Sequence, residues 1–98
     1  MKTAALLEAI RSAIRDQRYR ISSHANEEMS EDRLTSNDLE CIILKGRVAR
    51  RLSDDPRGTR YEVLGPTEDG RMAFAVCRFL TSRTLLIITM YTREGESR

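Results

Sequence analysis

Tryptophan is absent, histidine occurs once, and there are only two phenylalanines and three tyrosines. Proteins that hold single strands by stacking present several rings together. Here Phe74 and Phe79 both sit inside apolar runs, so composition argues against a stacking platform. The two cysteines, Cys41 and Cys77, stand far apart in apolar contexts, which excludes a disulfide framework and reads as reduced core thiols. A zinc site built from Cys41, Cys77 and His24 has no support in spacing. No apolar run approaches the ~20 residues of a membrane span, so no membrane partner is expected. The opening MKTAALLEAIRSAIRDQR has a lysine and an apolar run, but Glu8 and Arg11 interrupt it too early for a secretion signal and no cleavage pattern follows. A cytoplasmic protein is expected. P-loop, dinucleotide fingerprint, Gly-x-Ser-x-Gly elbow and metal-ligand runs are all missing, which leaves ATP-, NAD- and metal-dependent chemistry without support, and no cofactor is expected.

What is there is a chain of 98 residues, 40% apolar and 33% charged, with no low-complexity run. That composition makes one globular domain, burying ~60–65% of the unfolded chain's surface. Charge is unevenly spread: residues 1–46 hold 7 basic and 8 acidic groups, residues 47–98 hold 10 and 7. The basic half is the C-terminal half. Fifteen of the 17 basic residues are arginine, a bias that suits bidentate phosphate or carboxylate recognition and that arginine-rich codon usage explains equally well.

Leu6, Ile10, Ala13 and Ile14 fall at helical spacing opposite Glu8, Arg11, Arg15 and Asp16, which predicts an amphipathic helix over 3–18. RYRIS then alternates, with Tyr19 and Ile21 to one face, and reads as a short strand. Ser22 or Ser23 can cap a second helix from about residue 23 or 24 to 32. Thr35 with Asp38 is a capping pattern, Leu39, Ile42 and Ile43 form a stripe, and Lys45-Gly46 gives a cationic last turn and a stop, which predicts a third helix over 36–45. After Gly46 the pattern turns to strands: RVARRLS, the turn DDPRG, TRYEVLG, a hairpin at Asp69-Gly70, MAFAVCRFL and TLLIITMYT. The last two are apolar on both faces and belong at the sheet's centre. The expectation is a single α+β domain over 1–98, two layers, with the N-terminal helices packed on a twisted antiparallel meander.

The blocks SHANEEMSED, DDPRGTRYEVLG, DGRMAFAVCRF and LLIITMY, in that order and spacing, resemble the family known as domain of unknown function 4258 over about Tyr19 to Tyr91, with the first helix outside. That family is grouped with the RelE/ParE-like toxin superfamily, small bacterial proteins in which two helices pack on a twisted antiparallel sheet. The resemblance implies a type II toxin: metal-free cleavage of messenger RNA or, in the ParE branch, inhibition of gyrase by binding. An antitoxin protein is the partner so implied. His24, Ala25 and Met29 fit the opening block, Arg57, Gly58, Arg60 and Tyr61 the middle one, Gly70, Arg71 and Arg78 the next, and Thr89 and Tyr91 the last. Many members have arginine where this chain has Glu28 and Asp32, which makes the second helix anionic.

Metal-free RNA cleavage needs a base for the 2′-hydroxyl proton, an acid for the leaving 5′-oxygen and cations against the phosphate. His24 near a helix N-terminus can be the base, since the dipole there favours neutral imidazole; its other reading is a tie between the helix start and a neighbouring backbone or carboxylate group. Tyr91, ending the last strand, can donate to the leaving oxygen or simply bond at the core's edge. Arg60, Arg71 and Arg78 can converge to bind phosphate, or pair with Glu62, Asp54, Asp55 and Asp69. Arg57 and Gly58 shape their turn. Two readings stand: a toxin-like ribonuclease acting on RNA, and a catalytically silent module that binds a protein partner or forms a homodimer.

Overall fold

The computed structural model describes residues 3–80 and 83–94. Helix α1 (Thr3–Arg15) buries Leu6, Ile10, Ala13 and Ile14, the predicted stripe. It stops three residues before the expected end. Gln17 turns left-handed (φ 57), Gln17 N–H donates to Ile14 O and Arg18 N–H to Ala13 O. These two bonds satisfy the last carbonyls and close the helix without a glycine. Helix α2 (Ser23–Glu31) ends the same way, with Arg33 at φ 56, Arg33 N–H on Ser30 O and Leu34 N–H on Met29 O. Leu34 and Met29 are both buried, the apolar contact that usually accompanies this ending.

Helix α3 (Ser36–Lys45) carries the predicted capping box: Thr35 Oγ1 accepts from Asp38 N–H while Asp38 accepts from Thr35 N–H. Gly46 has an extended backbone (φ −91) rather than a left-handed one. Its glycine is required by proximity instead. A Cβ there would lie 2.3 Å from Ile42 O and 2.4 Å from Leu64 O, and one on Gly65 2.3 Å from Ile42 O. The two glycines let the end of α3 press directly on the sheet.

Five strands follow the order β1–β5–β4–β3–β2: β1 (Tyr19–Ile21), β2 (Arg47–Leu52), β3 (Arg60–Pro66), β4 (Met72–Phe79) and β5 (Leu85–Thr92). β2 to β5 form the expected antiparallel meander. The expectation of a wholly antiparallel sheet is corrected by β1, which pairs parallel to β5, Tyr19 with Leu85 and Ile21 with Ile87, so the sheet is mixed. No hairpin joins these two strands, and a three-residue alternation looks the same in either direction. Only packing sets how β1 runs. Among the described residues no helix is long and apolar enough to cross a membrane.

One sheet face carries the core. Val63, Ala73, Ala75, Cys77, Ile87 and Met90 meet the helices there, and all are fully buried. Burial pushes the Cys77 thiol up to about 12, as desolvation of a thiolate requires. Cys41, expected in the core, is half-exposed on α3. Alternation directs the remaining side chains to the opposite face, where Leu64, Phe74 and Val76 form an apolar patch outside the main core.

Candidate functional site

The two edges of the sheet are treated differently. β2 has one uncovered edge, guarded by the exposed Arg47, Arg50 and Arg51. On the far side β1 covers only the first residues of β5, and α2 covers the rest through side chains. Ser22 Oγ donates to Ile88 O (2.8 Å), Thr89 Oγ1 donates to Glu28 Oε1, and Asp32 Oδ2 accepts from Thr92 N–H (2.9 Å). Both Glu28 and Asp32 thus turn onto β5, Asp32 satisfying a backbone N–H of its edge and Glu28 the Thr89 hydroxyl.

Ser22 also caps α2, its hydroxyl accepting from Ala25 N–H at 3.0 Å. The helix start therefore does not depend on His24. The imidazole is 67% exposed, with Nε2 3.0 Å from Glu28 Oε1 one helical turn on. A carboxylate at that distance favours a proton on Nε2 and leaves Nδ1 as the basic nitrogen.

β5 bulges at Ile88, the residue skipped between the Val76–Thr89 and Cys77–Ile87 pairs. Bulges re-aim side chains, and here Leu86 and Ile88 floor a cavity of about 330 Å³ whose rim is Ser22, His24, Asp55, Arg57, Arg60 and Arg78. Arg60 and Arg78 come side by side because each lies one residue beyond the Tyr61–Cys77 pair. Arg78 Nη1 donates to Arg57 O at 2.9 Å, which ties the DDPRG loop to β4. Asp55 is the anionic counterweight, 3.3 Å from Arg57 Nε and 3.2 Å from Arg60 Nε. Its carboxyl is held below the usual aspartate value, first by the Arg57 backbone N–H, then by the Arg57 side chain and the charges of Arg57 and Arg60, against the opposing effect of desolvation. Arg60 Nε is buried and, despite that ion-pair distance, lacks an aligned hydrogen bond among the described residues. Three guanidinium groups against one carboxylate make the rim cationic, suited to a phosphate.

Of the residues singled out in the sequence, His24, Arg60 and Arg78 are brought together. Tyr91 faces the same way, its ring 5.4 Å from that of Phe74, but it stands two pairings further along β5 and does not line the cavity. Arg71 lies elsewhere. Its guanidinium donates to Asp32 O (2.6 Å) and Arg33 O (2.8 Å) and pairs with Asp69, so it closes the C-terminal end of α2. Sequence reasoning missed Glu28 as the carboxylate beside His24 and gave Arg57 only the turn; Asp55 stood among the acids able to pair with the arginines, and it pairs with Arg57 and Arg60. His24 and Glu28 at i,i+4 on a helix was the readable signal for the first; Asp55 faces Arg60 only because its loop folds back. Among the described residues no three His, Cys, Asp or Glu side chains group as metal ligands.

The model of the family described as Domain of unknown function (DUF4258) matches residues 21–92, from the end of β1 to the end of β5, with α1 outside. No curated protein and no solved structure matches the chain.

Proposed function

Since the chain belongs to the family described as Domain of unknown function (DUF4258), which brings no assigned chemistry, we propose from the site that it is a toxin-like protein of the RelE/ParE type that cleaves messenger RNA without a metal ion and is neutralised by an antitoxin protein. The observation that supports this is the meeting of His24, which Glu28 contacts from outside the cavity, with Arg57, Arg60 and Arg78 around that cavity. A strand's phosphate sits against Arg60 and Arg78. His24 Nδ1 takes the proton of the neighbouring 2′-hydroxyl, the 2′-oxygen attacks phosphorus, and the bond to the 5′-oxygen breaks to leave a cyclic phosphate. Tyr91, level with Phe74 and outside the cavity, takes no part at this phosphate, and the leaving oxygen takes its proton from water. Glu28, itself fixed by Thr89, orients the imidazole and stabilises it once charged, the part a carboxylate plays beside a catalytic histidine.

The second reading, a catalytically silent binding module, is favoured by Asp55, which pairs with two of the three rim arginines. One experiment separates them. The purified protein is incubated with a messenger RNA transcript in excess chelator, and its induction in cells is followed by growth and by the integrity of total RNA. Cyclic-phosphate ends and growth arrest are expected. Intact RNA in both arms would leave only the silent reading.

A further inference from the structure

The cationic rim of the cavity accounts for a phosphate, but the floor does not. Leu86 and Ile88 are half-exposed aliphatic side chains outside the main core, and the bulge takes Ile88 out of the ladder. A phosphate is strongly hydrated and gains nothing from such a surface. The cavity, about 330 Å³, lies at the small end of the roughly 300–1,000 Å³ in which proteins hold small molecules, and it has the usual make-up of apolar wall with a few polar groups. It suits one unit of a strand rather than a run of them. Arg60 Nε is buried without a hydrogen-bond partner, since the Asp55 carboxylate 3.2 Å away is not in line with it, so this guanidinium is not locked to its carboxylate. No aromatic ring lines the cavity. A base there rests on aliphatic carbon, and the guanidinium plane of Arg57, whose side chain is 73% exposed at the rim, is able to lie over its other face.

We infer that the cavity is a nucleoside pocket, which takes against Leu86 and Ile88 the unstacked base on the 5′ side of the phosphate held by Arg60 and Arg78. This rests on the RNA reading above and adds the part of the substrate that the rim leaves unused. Base, 2′-hydroxyl and 3′-phosphate belong to one ribose. A base on the floor with its phosphate at the arginines therefore brings the 2′-hydroxyl to the rim that His24 shares. Apolar burial is not directional, so the pocket accepts different bases and distinguishes a base from none.

The test uses the intact protein and two strands of equal length that lack the 2′-hydroxyl and so cannot be cleaved, oligodeoxyuridylate and its abasic counterpart, with dissociation constants measured at low salt. The strands carry the same number of phosphates, so any difference comes from the base. The base-bearing strand is expected to bind roughly tenfold more tightly, the worth of burying a small apolar surface. It should also move the NMR signals of the Leu86 and Ile88 methyl groups upfield through the ring current of the base, which the abasic strand cannot do. Ile88→Thr keeps the β-branched shape that strands favour and makes the floor polar. It should bring the two strands to within about threefold of each other and leave the salt dependence unchanged. Equal binding of the two strands by the unaltered protein overturns the inference and leaves the RNA reading standing with phosphate contacts alone. Binding of neither strand removes both. A clear preference with the Leu86 and Ile88 methyl signals unmoved, or a folded Ile88→Thr protein that keeps the full preference, would place the base elsewhere and also overturn it. The methyl signals decide the matter even if Ile88→Thr fails to fold.

Discussion

His24 projects into solvent from a helix whose first turn is already capped by Ser22, so removing the ring tests chemistry almost separately from folding. His24→Ala forfeits one exposed contact to Glu28, and exposed pairs contribute little to stability. The expected result is a melting temperature within a few degrees of the unaltered protein and RNA cleavage slower by about 10²–10⁴-fold, the usual worth of a general base. A large fall in melting temperature with cleavage unchanged per folded molecule would return the histidine to a structural part. Ser22 makes the useful contrast. Its hydroxyl holds both the cap and the Ile88 carbonyl, so its loss belongs to stability and not to proton transfer.

The helix α2 is held by its ends, and both ends can be probed. At the C-terminus Arg71 supplies the cation that the last carbonyls attract, bonding those of Asp32 and Arg33. Arg71→Ala should destabilise the fold by about 1–2 kcal/mol, because it frees one partly buried and one exposed carbonyl from a charged donor, and should leave RNA affinity close to unchanged. Equilibrium unfolding in urea beside an RNA titration measures both. Asp69 locks the same turn: hydrogen bonds from the Thr67 hydroxyl and then from Arg71 hold its carboxyl down to about 2 from an ordinary 3.8. A folded-state value below the unfolded one means that its contribution is complete above about 4 and is lost as pH falls toward 2. The difference in melting temperature between the unaltered protein and Asp69→Asn should therefore be visible at pH 5 and shrink by pH 2. A difference that grows on acidification would contradict this assignment.

At the scale of the whole molecule, the sheet has one face packed against the helices and one open face. The helices bury the first. The second presents Arg60 and Arg78 at the cavity, with Arg47 and Arg50 toward the uncovered β2 edge. If a phosphate backbone lies on this face, log affinity should fall linearly with log salt, because each neutralised phosphate of a single strand releases about 0.7 of a counterion. Arg60→Ala and Arg78→Ala should each weaken binding and flatten that slope by somewhat under one unit, whereas Arg71→Ala should not. RNA titrations between low and physiological salt decide this, and a slope that none of the three changes would mean that the strand lies elsewhere.

Local pattern by itself determined the three helices, their apolar stripes, the capping box at Thr35 and Asp38, the hairpin at Asp69-Gly70 and the four consecutive strands, because periodicity and capping act between residues a few positions apart. It also singled out His24, Arg60 and Arg78, which the fold brings to one cavity, and Arg71 and Tyr91, which it places elsewhere. Contacts across the chain decided the rest. α1 ends at Arg15 because Gln17 accepts a left-handed backbone to turn the chain back onto the sheet. β1 lies parallel to β5 because packing fills the edge that no hairpin claims. Glu28 and Asp32 face inward because β5 past β1 has edge groups to satisfy. Arg71 and Arg78 stand seven residues apart on one hairpin arm, yet one closes a helix and the other rims the cavity. What a charged side chain does is set by the partners the fold brings within about 4 Å of it, and those partners lie tens of residues away in the chain.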